Sequence, residues 1–208
     1  MKLQSPGNAR RSAADRRQQL VSIAMDLIAA KGFEGLRFQE VAKEAGINNA
    51  TLFYHFSTKE ELIKGVMQHL GEELRRTPGR VEDKPSTAIE ELRLEFESIG
   101  GLLRERPKLF LVLMEFSIRS LRDPVMGATM MTLDYYWREH LAAVLHQGMM
   151  EGSFRRDIDV EAATTAWMAQ IKGIGFHALT GKLNQTEVEK CVAEIALEVE
   201  HWLTHGKG

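Results

Sequence analysis

The chain has 208 residues, a formal net charge of −2, 44% hydrophobic and 27% charged residues, the composition of an ordinary globular protein of one or two domains. Its longest apolar run, Leu109 to Met114, falls far short of the ~20 residues that cross a bilayer, and the N-terminus lacks the apolar core of a signal peptide. One cysteine, Cys191, excludes an internal disulfide framework and a cysteine-based zinc site, so a reducing cytoplasm is expected.

The average charge hides an asymmetry. Residues 1–60 hold nine Lys/Arg against six Asp/Glu, and residues 61–208 hold eighteen against twenty-three. A phosphate-binding surface needs local basic charge, not a basic whole chain. Residues 1–17 read as a loose basic arm, and Arg10, Arg11, Arg16 and Arg17 are either phosphate contacts or a solvated tail.

Beyond the arm nearly every stretch has helical period and none alternates like a strand. Leu20, Ile23, Ala24, Leu27 and Ile28 form one apolar face, closed by Gly32. Two short helical segments follow, about Arg37–Ala45 and Asn49–His55. Ser57-x-x-Glu60 has capping-box spacing and opens a fourth helix toward Arg76. Residues 77–86 are rich in Pro, Gly and charge and mark a boundary.

Thr87-x-x-Glu90 opens the next helix, with Ile89, Leu92, Phe96, Ile99 and Leu103 on its apolar positions. Pro107 suits a first helical turn. Asp123-Pro124 reads as an N-cap and a first-position proline, starting a long helix toward Met150 that Gly152 stops. Asp159 caps a helix through Leu179, followed by Gly181. Thr186-x-x-Glu189 opens the last helix, where Val188, Cys191, Val192, Ile195, Val199, Trp202 and Leu203 keep the period. The expected fold is all-α with about nine helices.

The informative window is Phe38 to Lys59. Ala42 sits where two helices cross closely, and Gly46 ends a helix where the chain needs positive φ. Val41, Ala45, Ile47 and Leu52 supply a small core, and Asn48 caps the following helix. Asn49, Ala50, Thr51, Phe53, Tyr54 and His55 are left on or near the N-terminal part of a recognition helix.

From Lys31-Gly32-Phe33 through Val41-Ala42, Ala45-Gly46-Ile47 and Thr51-Leu52-Phe53-Tyr54-His55-Phe56 to Lys59-Glu60-Glu61-Leu62, the chain resembles the TetR family of transcriptional regulators. The resemblance implies an N-terminal three-helix, helix-turn-helix DNA-binding domain (18–64) after the arm, then a helical effector-binding and dimerisation domain (65–208). It implies that Gln39 reaches bases from the second helix, and that Asn49, Ala50, Thr51 and Tyr54 face the major groove. Thr51, Phe53, His55 and Lys59 match positions that contact bases or phosphates. Two departures stand out. Leu36-Arg37 replaces the usual hydroxyl cap, leaving Arg37 as a phosphate contact, and Phe53 replaces a common tyrosine.

Seven of the ten methionines lie between Met114 and Met168, with Tyr135, Tyr136, Trp137, Trp167 and Phe176 in or near the span. Such residues fill an ordinary core or line a plastic apolar pocket. The family resemblance implies a cavity, and Phe96, Phe110, Met114, Met130, Trp137 and Trp167 are the expected lining. Ala162, Ala163, Ala166, Ala169, Gly173, Gly175 and Ala178 give the penultimate helix small surfaces, so the last two helices are the expected homodimer face, giving a four-helix bundle.

The histidines show no metal-ligand spacing, Cys191 lies on an apolar face, and no glycine loop cradles phosphate. Neither a cofactor, a metal nor a catalytic residue is expected, which argues against an enzyme. The exposed Thr51, Tyr54, His55 and Lys59 argue against an adaptor that keeps the helix-turn-helix only for folding. The expected protein is a cytoplasmic homodimeric repressor that binds a palindromic operator on double-stranded DNA. An apolar or amphipathic effector of unknown identity releases it.

Overall fold

The computed structural model describes residues 12–75 and 87–205, all of whose regular structure is helical. The described residues divide into two compact units, one ending at His69 and one beginning at Leu70. No described helix is long and apolar enough to cross a membrane.

The first unit holds α1 (Ala13–Gly35), α2 (Phe38–Glu44), α3 (Asn49–His55) and most of α4 (Lys59–Arg75). Ser12 and Asp15 form a reciprocal capping box at the start of α1. The helix therefore begins inside the stretch expected to be a loose arm, because two side chains there satisfy otherwise orphaned amides. Arg16 and Arg17 are helical residues, whereas Arg10 and Arg11 lie outside the described residues. At its far end α1 kinks at Gly32, where φ is 67°, and continues to Gly35.

Leu20, Ala24, Ile28, Val41, Leu52, Phe56, Leu62 and Val66 are almost wholly excluded from solvent. They form the core that a short helical unit needs. Gly46 adopts φ 66° between α2 and α3, a backbone that a side chain would strain. Asn48 then caps α3, its Oδ1 accepting from the Thr51 amide at 2.8 Å. The α4 cap stands one residue later than the spacing predicts. Thr58 Oγ1 accepts from the Glu61 amide at 3.1 Å, while the Glu61 carboxylate accepts from the Ser57 amide and hydroxyl. Two adjacent hydroxyls and two adjacent glutamates fit either register, and the fold uses Thr58 with Glu61.

The second unit holds the end of α4, α5 (Ala88–Glu105), α6 (Pro107–Ser120), α7 (Pro124–Glu151), α8 (Val160–Leu179) and α9 (Gln185–His205). Residues 77–86, where the sequence suggests a boundary, lie outside the described residues. Thr87 and Glu90 form the expected capping box of α5. Asp123 accepts from the Val125 and Met126 amides, with Pro124 in the first turn of α7. Asp159 accepts from the Ala162 amide. The last helix starts earlier than Thr186: Asn184 and Glu187 make the reciprocal cap, at 3.0 and 2.7 Å. Asparagine serves as well as threonine there, and its box comes first along the chain.

The core of this unit joins Leu92, Phe96, Ile99, Phe110, Leu141, Val144, Leu145, Trp167, Ile171, Val192 and Leu203 from all five helices. Gly175 makes one junction possible. A Cβ there would lie 2.1 Å from the Phe110 ring, so only glycine lets α8 and α6 meet over that ring.

Candidate nucleic-acid interface and effector domain

Helix α3 turns Leu52 wholly inward and the rest of its surface outward. Tyr54 is 82% exposed and Phe53 52%; Asn49 and Ala50 are exposed, and Thr51 and His55 half-buried. Thr51 Oγ1 donates to Asn48 Oδ1 at 2.9 Å, which orders the hydroxyl at the N-terminal end of the helix. The Phe53 ring packs against Phe38 of α2, centroids 5.0 Å apart. The ring that stands where a tyrosine is common is thus braced against the preceding helix. Gln39 and Arg37 are exposed at the start of α2. Arg37 offers α2 no side-chain cap, as its type predicts.

Lys59 is less free than its sequence position implies. Its Nζ donates to the Phe33 carbonyl at 3.0 Å, tying α4 to the end of α1. Sequence reasoning gives no structural part to Arg17, yet it holds three elements together. Its guanidinium donates to the His55 carbonyl, pairs with Glu61 at 3.3 Å and lies 4.0 Å above the Phe56 ring. The only sequence signal for this is that Arg17 precedes the apolar Leu20 and Val21 by one turn. Hydrogen bonds from Ser57, followed by Arg17, hold the Glu61 carboxyl below the usual carboxylate range.

In the second unit, Phe96, Phe110 and Trp167 are buried in the common core, with Met114 and Trp137 packed against it. Phe96 and Trp167 meet edge to face, 6.4 Å between centroids. Met130 is buried but not part of that cluster. The structure thus brings five of the six expected lining residues together. A cavity of about 740 Å³ opens elsewhere, between α8, α9 and the turn before α8, and Trp167 alone of the six reaches it.

Of the small residues on α8, Ala162, Ala166, Ala169 and Gly173 are exposed, while Ala163 and Gly175 face the unit's own core. The helix thus divides these small residues between an outer and an inner surface. Sequence reasoning also passed over Glu95. It stands three residues after Leu92 on the buried stripe of α5, where the period calls for an apolar residue. Its carboxylate accepts from Trp137 Nε1 at 2.9 Å.

Comparison with known proteins agrees with this architecture. Residues 20–66 match the family described as bacterial regulatory proteins, tetR family, and residues 88–199 match the C-terminal part of BetI-type transcriptional repressors. The chain belongs to the TetR family. It is 27% identical over 173 residues to the HTH-type transcriptional repressor KstR2 of Rhodococcus jostii, covering 79% of this chain and 82% of that one. It is 22% identical over 152 residues to the fatty acid metabolism regulator protein of Bacillus subtilis, covering 70% and 74%.

Among solved structures, a transcriptional regulator from Saccharomonospora viridis in complex with choline superposes with a TM-score of 0.80. It is 25% identical and covers 92% of this chain and 99% of that one. A TetR regulator from Chloroflexus aurantiacus has the same fold, with a TM-score of 0.80, 19% identity, and 90% and 95% coverage. This TetR-family chain is a ligand-responsive, DNA-binding transcriptional repressor.

Proposed function

We propose that the protein acts in the cytoplasm as a homodimer on a palindromic operator and is released by a small apolar or amphipathic effector. The observation that carries the DNA reading is the outward face of α3, where Tyr54 is 82% exposed beside Thr51 and Asn49. Nothing in the fold of the first unit needs that tyrosine outside. Asn49, Ala50, Thr51 and Tyr54 then meet base edges, with Gln39 reaching in from α2. Arg37, Phe53, His55 and Lys59 border the phosphates. Lys59 must leave the Phe33 carbonyl, or share its three donors, to do so.

Dimerisation through α8 and α9 is supported by exposed Ala162, Ala166, Ala169 and Gly173, beside half-exposed Phe176 and Leu197. Small residues let a partner helix approach closely, and the open groove lined by Ala162, Ala166 and Trp202 lies on the same face. A two-fold dimer presents two recognition helices to half-sites one turn of B-DNA apart, ~34–36 Å.

Effector binding in the second unit is supported by the likeness to a regulator solved with choline and by the joined aromatic cluster. Helix α4 runs through both units, and Glu73 in its last turns is ion-paired with Arg106 at the start of α6. An effector that prefers one placement of α4 lowers operator affinity by its differential affinity for the two states.

Selection of bound sequences from a random duplex library tests the reading. A dyad-symmetric consensus bound by two chains is expected, and Ala169→Glu should give a monomer with greatly weakened binding. Selected sites without dyad symmetry, bound by a single chain, would remove the homodimer from the proposal.

A further inference from the structure

Sequence reasoning gives the seven histidines no metal-ligand spacing, and α9 corrects it: His201 and His205 stand four residues apart at the C-terminal end of that helix. Both are exposed, while Val199 and Leu203 of the same turns face the core and Glu200 is ion-paired with Arg93 of α5. Two histidines four apart share one helix face, the arrangement by which a helix offers a metal ion two imidazoles. Here the rings stack, with 4.6 Å between centroids and 22° between planes.

Hydrogen bonds give the two rings different parts. Thr204 Oγ1 lies 2.9 Å from the Glu200 carbonyl oxygen and 2.7 Å from His205 Nδ1. A carbonyl oxygen only accepts, so the hydroxyl gives its one proton there and Nδ1–H donates to the hydroxyl oxygen. That relay holds the His205 ring and leaves Nε2, on the other side of the ring, with the free lone pair. The His201 ring makes no hydrogen bond or ion pair among the described residues and can rotate about its side-chain bonds. Metal–nitrogen bonds of about 2.0–2.1 Å set two imidazoles on one ion with ring centres about 4.5–5 Å apart. The rings of α9 already have that separation, and rotating His201 out of the stack aims its nitrogen at an ion on His205 Nε2.

The surroundings favour a cation. Glu194 and Glu198 are exposed on the preceding turns of the same face, and the last carbonyls of a helix are the negative end of its dipole. No group of three or more His, Cys, Asp or Glu converges among the described residues, so the chain supplies two nitrogens and water or a second copy fills the other positions. Imidazole pairs suit nickel, copper or zinc, whereas magnesium and calcium take oxygen ligands. We propose that His201 and His205 form a binding site for a divalent late transition metal at the end of α9, with Thr204 positioning His205. Neither the operator nor the effector proposed above has a part in it.

The probes are the metals alone, as nickel, copper, zinc and magnesium chlorides, titrated calorimetrically into the full chain in a non-chelating buffer. One nickel ion per chain, or one per two chains where a second copy completes the shell, should bind at least about tenfold more tightly than in His201→Ala or His205→Ala. Copper should bind more tightly than nickel or zinc, and magnesium should not bind. Thr204→Val removes the relay and should weaken nickel several-fold, and Thr204→Ser, which keeps the hydroxyl, should restore it. His177→Ala, at an exposed histidine of α8, should bind as the wild type does. Because both rings are exposed, the alanine variants should melt like the wild type without metal, whereas nickel should raise the melting temperature of the wild type alone. Nickel affinities within about threefold of one another in the wild type and both alanine variants, or an equal loss in His177→Ala, overturn the inference. Thr204→Val binding nickel at wild-type affinity overturns the part given to Thr204.

Discussion

The Arg17 guanidinium lies 4.0 Å above the Phe56 ring and donates to the His55 carbonyl, so the first helix grips the residue that ends the recognition helix. A residue grouped by sequence with a phosphate-seeking arm is thereby part of the fold. Arg17→Gln should lower the stability of the first unit by roughly 1 kcal/mol, because the side chain is only partly buried. The log–log salt slope of operator binding should not change. A slope smaller by ~0.9 would make Arg17 a phosphate contact after all. Arg10→Gln with Arg11→Gln gives the comparison.

Tyr54 offers the complementary case. Its exposure means that Tyr54→Ala should leave thermal unfolding within about 0.5 kcal/mol of wild type. Preference for the selected operator over random duplex should fall by roughly 1–3 kcal/mol. Competition gel shifts measure this, and unchanged preference would take Tyr54 out of base recognition.

What the sequence made legible follows from how local each signal is. Asn48, Asp123 and Asp159 are found as caps because a cap needs only its own amide three residues on. Gly46 is found because positive φ is written in the residue type. Where two local solutions compete, as with Ser57 and Thr58 or Asn184 and Thr186, spacing alone cannot rank them. The grip of Arg17 spans 38 residues to His55, and nothing in either segment announces the other. Glu95 is harder still. Its charge reads as solvent-exposed until Trp137 and His140 are brought against it from α7. The division of the α8 small residues into an inner and an outer set likewise needs the partners: Phe110 meets Gly175, whereas a Cβ on Gly173 meets open space.

That division gives a paired test on one helix. At Gly175 an added methyl lands 2.1–2.2 Å from Phe110 ring atoms, and Gly175→Ala should destabilise the second unit by roughly 1–3 kcal/mol through overpacking. Two residues away, a Cβ on Gly173 meets nothing within 4 Å in its own chain, so Gly173→Ala leaves the core intact, its effect falls on the proposed dimer face, and it should cost the unit less than Gly175→Ala. Urea unfolding of both variants separates them. Equal losses would mean that Phe110 moves aside without cost.

Acid should act on the first unit through Glu61. Its carboxyl is held below the usual range by the Ser57 amide and hydroxyl and then by Arg17. A lowered folded-state value means that the group stabilises the fold above its unfolded-state value. That contribution is lost as pH falls through the lower, folded one. The stability difference between wild type and Glu61→Gln should therefore hold from neutral pH down to about 5 and shrink below about 4. Unfolding curves of both proteins at pH 7 and pH 3 check the sign; a difference that grows in acid would contradict the assignment.

Trp137 and Trp167, two of the three tryptophans of the second unit, should behave differently although both belong to the aromatic cluster. Trp167 is 4% exposed and meets Phe96 edge to face, so Trp167→Ala should cost about 3–5 kcal/mol and damage folding and operator binding together. Trp137 is only half-buried, packs on the rim of the same core and spends its indole N–H on Glu95. Trp137→Ala should cost less. Because Trp137 and the α3 face belong to different units, operator binding without effector should stay near the wild-type level while the concentration of effector needed for release rises. Thermal melting beside operator binding, with and without a candidate apolar or amphipathic effector, reads both quantities. A loss for Trp137→Ala as large as that for Trp167→Ala, with operator binding gone, would return Trp137 to the core.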